Sequence, residues 1–227
     1  GAQWALPGRC ARPDADAMRA GGGRGRPERA LCADSGPMPM ETMRKCWQGV
    51  AMSELATIVL AAGKGTRMKS NRHKVLHPIG GRPMLLHLMD AAASLSESRT
   101  VVVVGEYREQ LHDALGESVD YAVQEPQLGT GHAVAQAKEA LRGFTGDVLI
   151  LYGDVPLVRA DTMRAMRERL HGPDTPAVVV LGFRPPETRA YGRIIAADDG
   201  RIEKMVEHRD ASEEERACTL CNSGVMA

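Results

Sequence analysis

From residue 56 onward, short all-apolar runs alternate with stretches whose apolar positions recur at helical spacing. ATIVL (56–60), TVVVVG (100–105), VDYAVQ (119–124) and DVLILYGD (147–154) read as buried strands. Between them, residues 82–95 put Met84, Leu85, Leu88 and Ala92 on one stripe, and residues 106–115 put Tyr107, Leu111 and Leu115 on one face. Residues 131–142 bring Ala133, Ala137 and Ala140 together, and residues 161–170 set Met163, Met166 and Leu170 at i, i+3 and i+7. Strands without polar alternation are buried on both faces, and strand–helix–strand order implies a parallel sheet with helices outside. The predicted fold is therefore α/β, a doubly wound, Rossmann-like sheet. Ligands of such sheets sit beyond the carboxyl ends of the strands, which directs attention to the turns after residues 60, 104, 124 and 151. From AVVVLGF (177–183) onward the pattern changes. YGRIIAADDGRIEKMVE (191–207) reads as a β-hairpin around Asp198-Asp199-Gly200, the form expected of an acceptor-side insertion. The chain ends at CNSGVMA, inside what reads as a strand, so the domain is expected to be truncated at its C-terminus.

Residues 1–51 do not share this pattern. They hold eight of the 24 glycines, five of the 13 prolines and three of the five cysteines, with no amphipathic period. Such a segment cannot bury enough apolar surface to offset its ordering entropy. Its five acidic residues fit a transit peptide poorly, and it lacks the apolar core of a secretory signal. The expected organisation is a disordered or non-native extension over 1–51 and one domain over 52–227. Lys plus Arg and Asp plus Glu are 29 each over the 227 residues, and a balanced chain lacks the basic excess that nucleic-acid binding needs. No apolar run is long enough to span a membrane.

Four groups carry candidate chemistry. LAAGKGTRMKSNRHKVLH (60–77) follows a buried strand with Gly63 and Gly65 in a loop, ringed by Lys64, Arg67, Lys69, Arg72 and Lys74. Backbone N–H groups of such a loop form an anion nest, and the cations suit a triphosphate; a turn with solvated basic residues is the plainer alternative. The string lacks the spacing of a Walker A loop or a dinucleotide fingerprint. In LYGDVPL (151–157), Asp154 stands just past a buried strand, placed either to hold Mg²⁺ or to cap the next helix. In QEPQLGTGHA (124–133), Gln124 has the donor and acceptor to read a base edge, while Thr130 is also a candidate helix cap. Gly192, Glu207 and Asn222 lie on or beside the later strands, positions for sugar hydroxyls or for ordinary surface. Cys218 and Cys221 form a C-x-x-C pair without a second pair or histidine cluster, and read as incidental thiols. His132 is assigned to the helix start rather than to catalysis.

Taken together, LAAGKGTRM, KVLH, QLGTGHA, LYGDVPL, YGRI, VEHRDA and NSG, in that order, resemble a known family. It is the N-terminal pyrophosphorylase domain of the bifunctional bacterial N-acetylglucosamine-1-phosphate uridyltransferase/glucosamine-1-phosphate acetyltransferase. The resemblance spans about Met52 to Ala227. It implies a nucleotidyltransferase sheet and the reaction of UTP with N-acetylglucosamine 1-phosphate, giving UDP-N-acetylglucosamine and pyrophosphate. It implies that Leu60, Ala61, Ala62 and Gly63 contact uridine, and that Arg67 and Lys74 bind and neutralise phosphates. Gln124, Gly129 and Thr130 would recognise uracil and ribose, and Tyr152 and Gly153 would line the site. Asp154 would ligate Mg²⁺, and Gly192, Glu207 and Asn222 would hold the acetylated sugar. Other nucleotides or sugars (thymidylyl or cytidylyl transfer) and a catalytically dead nucleotide-sugar binding module are the alternatives. The family usually carries proline where His73 stands. It also supplies a second, asparagine metal ligand and a trimerising β-helix acetyltransferase domain beyond residue 227, so weak or no turnover is expected of this chain alone. With no targeting signal and a cytosolic nucleotide substrate, the expected location is the cytoplasm.

Overall fold

The computed structural model describes residues 53–63, 65, 68–96 and 99–227. The expectations for residues 1–51, and for Lys64 and Arg67, lie outside the described residues. The chain forms β1 (Leu55–Leu60), a 3₁₀ turn (Lys74–Leu76), a ribbon of β2 (Pro78–Ile79) and β3 (Arg82–Pro83), then α1 (Met84–Ala93). There follow β4 (Arg99–Val104), α2 (Arg108–Leu115), β5 (Asp120–Val123), α3 (Thr130–Gln136), β6 (Asp147–Tyr152) and α4 (Ala160–Leu170). The last part holds β7 (Val180–Phe183), β8 (Arg193–Ala196), β9 (Ile202–Val206), α5 (Glu213–Ala217) and β10 (Cys221–Met226).

The main sheet runs β5-β4-β1-β6-β10-β8-β9, with β7 paired to β10. The first four strands are parallel. Strand β10 is antiparallel to β6, β7 and β8, and β8–β9 is the antiparallel hairpin expected from the sequence. Alternate residues of each central strand enter opposite core layers. Leu55 and Val59 of β1 and Val102 and Val104 of β4 pack with Leu85, Leu88, Leu111, Leu115, Met163 and Met166 of α1, α2 and α4. Ile58, Val101, Val103 and Ala122 pack with Ala133 and Ala137 at α3. Helices therefore cover both faces, the doubly wound arrangement. The chain builds outward from β1 to β4 and β5, then returns to the other side of β1 as β6. That reversal opens a crevice between the ends of β1 and β6.

Three local expectations differ. The helix expected over 82–95 starts at Met84, because residues 82–83 pair back onto Pro78–Ile79. Tyr107 does not join the buried stripe of α2; it precedes the helix in a left-handed conformation and is exposed. The helix expected over 131–142 ends at Gln136. Beyond it, Ala137, Lys138 and Arg142 donate to the carbonyls three residues back, which tightens the chain toward β6.

The sheet's other end is clamped by Asp147, whose side chain is 10% exposed. Arg167 Nε donates to it at 3.2 Å and His171 Nε2 lies at 3.0 Å, while Arg167 Nη2 holds the Ser53 carbonyl at 2.8 Å. Ser53 Oγ and Asp147 meet the same imidazole nitrogen, so the trio is a clamp and not a proton relay. Burial pushes the Asp147 carboxyl up, but hydrogen bonds from Ser53, His171 and Arg167 outweigh it and hold it below the usual range. The unfolded chain therefore takes up this proton first. The clamp's contribution is complete above the ordinary carboxylate pKa of about 3.9 and is lost as pH falls through the lower folded value. Asp147→Ala leaves Arg167 buried without its carboxylate and is expected to cost about 3 kcal/mol of unfolding free energy at pH 7. Urea melts check this, and the variant's acid limb is expected to be shallower than the parent's.

Candidate active site

The carboxyl ends of the parallel strands are held level by cross-strand bonds. Ala61 N–H donates to the Val103 carbonyl (2.9 Å), Gly153 N–H to Leu60 (3.0 Å) and Gln124 N–H to Val104 (2.8 Å). Above this edge lies a cavity of about 340 Å³, lined by Leu60, Ala61, Ala62 and Gly63 after β1 and by Lys74 and Val75 of the 3₁₀ turn. Gln124, Gln127, Gly129, Thr130 and Ala133 close it from the β5–α3 side, and Tyr152 and Asp154 from the end of β6. Of the residues expected at a nucleotide site, every described one except Gly153 lines this single cavity. Gly153 adjoins the lining residues Tyr152 and Asp154, and a Cβ there would meet Val75, the Leu60 carbonyl and Leu85 at 3.1–3.4 Å.

Lys74 and Asp154 face each other across the β1–β6 crevice in a direct ion pair, each side chain about a third exposed (34% and 31%). The register that pairs Leu60 with Tyr152 delivers them to the same spot from positions 80 residues apart. Asp154 does not cap α4, whose N-cap is Arg159. Thr130 does not cap α3 either; Gly129 holds that position. Gln124 is 5% exposed and its Nε2 donates to the Gly129 carbonyl at 2.8 Å, fixing the turn into α3. His132 lies 3.3 Å from the same amide, consistent with its assignment to the helix start.

The sugar-site candidates gather in a second cluster, outside the cavity lining. Asn222 N–H donates to the Gly192 carbonyl at 2.9 Å, and the Glu207 carboxylate lies 3.7 Å from where a Gly192 Cβ would sit. Asn222 Oδ1 accepts from Gly224 N–H at 2.9 Å, and Gly224 presses against the Tyr152 ring. The two clusters thus share the wall between β6 and β10. Cys218 and Cys221 are free thiols, Cys221 buried. No described helix is long and apolar enough to cross a membrane.

Sequence reasoning missed Gln127. Its Nε2 donates to the Ala62 carbonyl at 2.5 Å, latching the glycine loop to the β5–α3 loop. Its signal was present, an amide in the same edge loop as Gln124. Val75 and Ala133 were missed because apolar side chains carry no chemical signal of a site.

A reversal crevice, a glycine loop and a facing Lys–Asp pair define a nucleotide-handling α/β domain. Residues 57–215 match the MobA-like NTP transferase domain, and this chain belongs to that family. It is similar to the bifunctional protein GlmU of Novosphingobium aromaticivorans, 74% identical over 175 residues, which cover 77% of this chain and 39% of that protein. It is 65% identical over 173 residues to the same-named protein of Sphingopyxis alaskensis, covering 76% of this chain and 38% of the relative. The chain therefore spans about 39% of the length of the curated relatives it matches. Among solved structures, a UDP-glucose pyrophosphorylase complexed with UDP-glucose shares the fold, with a TM-score of 0.61 at 20% identity, over 76% of this chain and 75% of that one.

Proposed function

We propose that this domain transfers a uridylyl group from UTP to N-acetylglucosamine 1-phosphate, releasing pyrophosphate. The observation that carries the reading is the Lys74–Asp154 pair at the floor of a cavity walled by the glycine loop and the Gln124–Thr130 turn. The high identity to GlmU relatives across this stretch supports it.

The attacking group is a phosphate oxygen, ionised near neutral pH, so no general base is needed. The barrier is chiefly repulsion between two anions, and catalysis reduces to alignment and charge neutralisation. Leu60–Gly63 and the Gln124–Thr130 turn orient the nucleoside, and Lys74, with Arg67, neutralises the phosphates. Gly192, Glu207 and Asn222 hold the acceptor sugar on the far side of Tyr152. Among the described residues no three His, Cys, Asp or Glu groups gather as a metal cage. One carboxylate at a phosphate site suits Mg²⁺, which keeps waters and takes its remaining ligands from substrate. A magnesium ion held by Asp154 would supply further neutralisation of the triphosphate charge.

Pyrophosphate release from a panel of nucleotides and sugar phosphates tests the reading. UTP with N-acetylglucosamine 1-phosphate is expected to be preferred in a protein carrying this domain. Preference for dTTP or CTP replaces the substrate assignment, and tight UDP-N-acetylglucosamine binding without turnover identifies a binding module.

A further inference from the structure

Residues 69–73, which deliver Lys74, carry no helix or strand, and a 3₁₀ turn begins at Lys74 itself. Among the described residues, one side chain of another element hydrogen-bonds to their backbone at two points. Gln110 of α2 accepts from His73 N–H through Oε1 at 2.8 Å and donates from Nε2 to the Asn71 carbonyl at 2.8 Å. A primary amide does both at once, whereas an ionised carboxylate accepts but cannot donate, and an aliphatic chain does neither. The bracket is anchored, because Leu111 beside it is fully buried and Leu115 nearly so.

His73 completes the fixture. The residue is 1% exposed, its Nδ1 faces Val75 N–H, and its carbonyl accepts from Leu76 N–H at 2.9 Å. The backbone just before Lys74 is therefore held by the Gln110 amide, a buried ring and the first bond of the turn. Lys74 leaves this point to reach Asp154.

We infer that Gln110 is a positioning residue that holds the Lys74 ammonium at the phosphate end of the cavity. The inference rests on the proposed nucleotidyl transfer for its consequence, but not for its geometry. Two variants separate the parts. Gln110→Met keeps the length and removes both bonds; Gln110→Glu keeps the acceptor for His73 N–H alone.

The first test needs no ligand. Amine-reactive labelling of the folded chain, read lysine by lysine by mass spectrometry, is expected to show Lys74 modified at least about three-fold faster in Gln110→Met. Lys204 serves as the reference, and Gln110→Glu falls between. Equal Lys74 labelling in all three proteins overturns the inference. The second test titrates UTP. Gln110→Met is expected to weaken binding about five-fold in the parent, and less than two-fold when Lys74→Met is already present, because the bracket acts through that lysine. An equal loss in both backgrounds overturns the inference. Should the parent bind no nucleotide triphosphate, the proposed function falls, and the labelling result still decides the role of Gln110.

Discussion

In a longer protein carrying this domain, Asp154→Ala is expected to reduce pyrophosphate release from UTP and N-acetylglucosamine 1-phosphate by about 1,000-fold or more, equivalent to about 4 kcal/mol of transition-state stabilisation. Asp154 is the carboxylate that lines the cavity, it stands two residues past the end of β6, and it faces Lys74 across the reversal crevice. Removing it deletes the anionic ligand of the proposed metal and frees Lys74 from its partner. The effect belongs to chemistry and not to folding, because the pair is a third exposed and such pairs contribute about 0–1 kcal/mol to stability. Steady-state assays alongside thermal melts check both halves. Parent-level turnover would remove Asp154 from the mechanism, and a collapse of the melting temperature would show the pair to be structural.

Gly105→Ala is expected to weaken UTP binding about 100-fold. A Cβ at this position would sit 2.8 Å from the Ala62 carbonyl and 2.7 Å from Gln127 Nε2. Both atoms belong to the latch that closes the glycine loop against the β5–α3 loop. The carbonyl cannot yield cheaply, since the neighbouring Ala61 N–H is bound to Val103 in the sheet. Relief must come from displacing the glycine loop or breaking the latch, and both shift groups that line the cavity at the sheet edge. Overpacking of this kind also costs about 1–3 kcal/mol of stability. Calorimetric titration with UTP on the folded variant is the measurement, and unaltered affinity would show that the latch does not shape the site.

Much of the site was legible because parallel α/β sheets place ligand loops at one edge. Gly63, Gln124 and Asp154 each stand at or just past the end of an apolar run, and that position together with their chemistry marked them as candidates; the resemblance added Gly129. The conformations of short loops were less legible. Tyr107 fits the helical spacing of Leu111 and Leu115, yet the turn out of β4 places it before the helix in a left-handed conformation. Gly192, Glu207 and Asn222 carried weak signals singly. Their grouping comes from β10 pairing with β8, and β8 with β9.

By itself, the sequence determined the strand and helix alternation, the sheet edge that carries the loops, and the residue types gathered there. These follow from local patterns, since burial on both faces demands apolar runs and phosphate binding demands glycine and cations. Only the tertiary structure decided which residues meet. The insertion of β10 between β6 and β8, the contact of Lys74 with Asp154 and the hold of Gln110 on the turn before Lys74 each join distant segments. Strand order and register set those meetings, and neither is written in any local window of the chain.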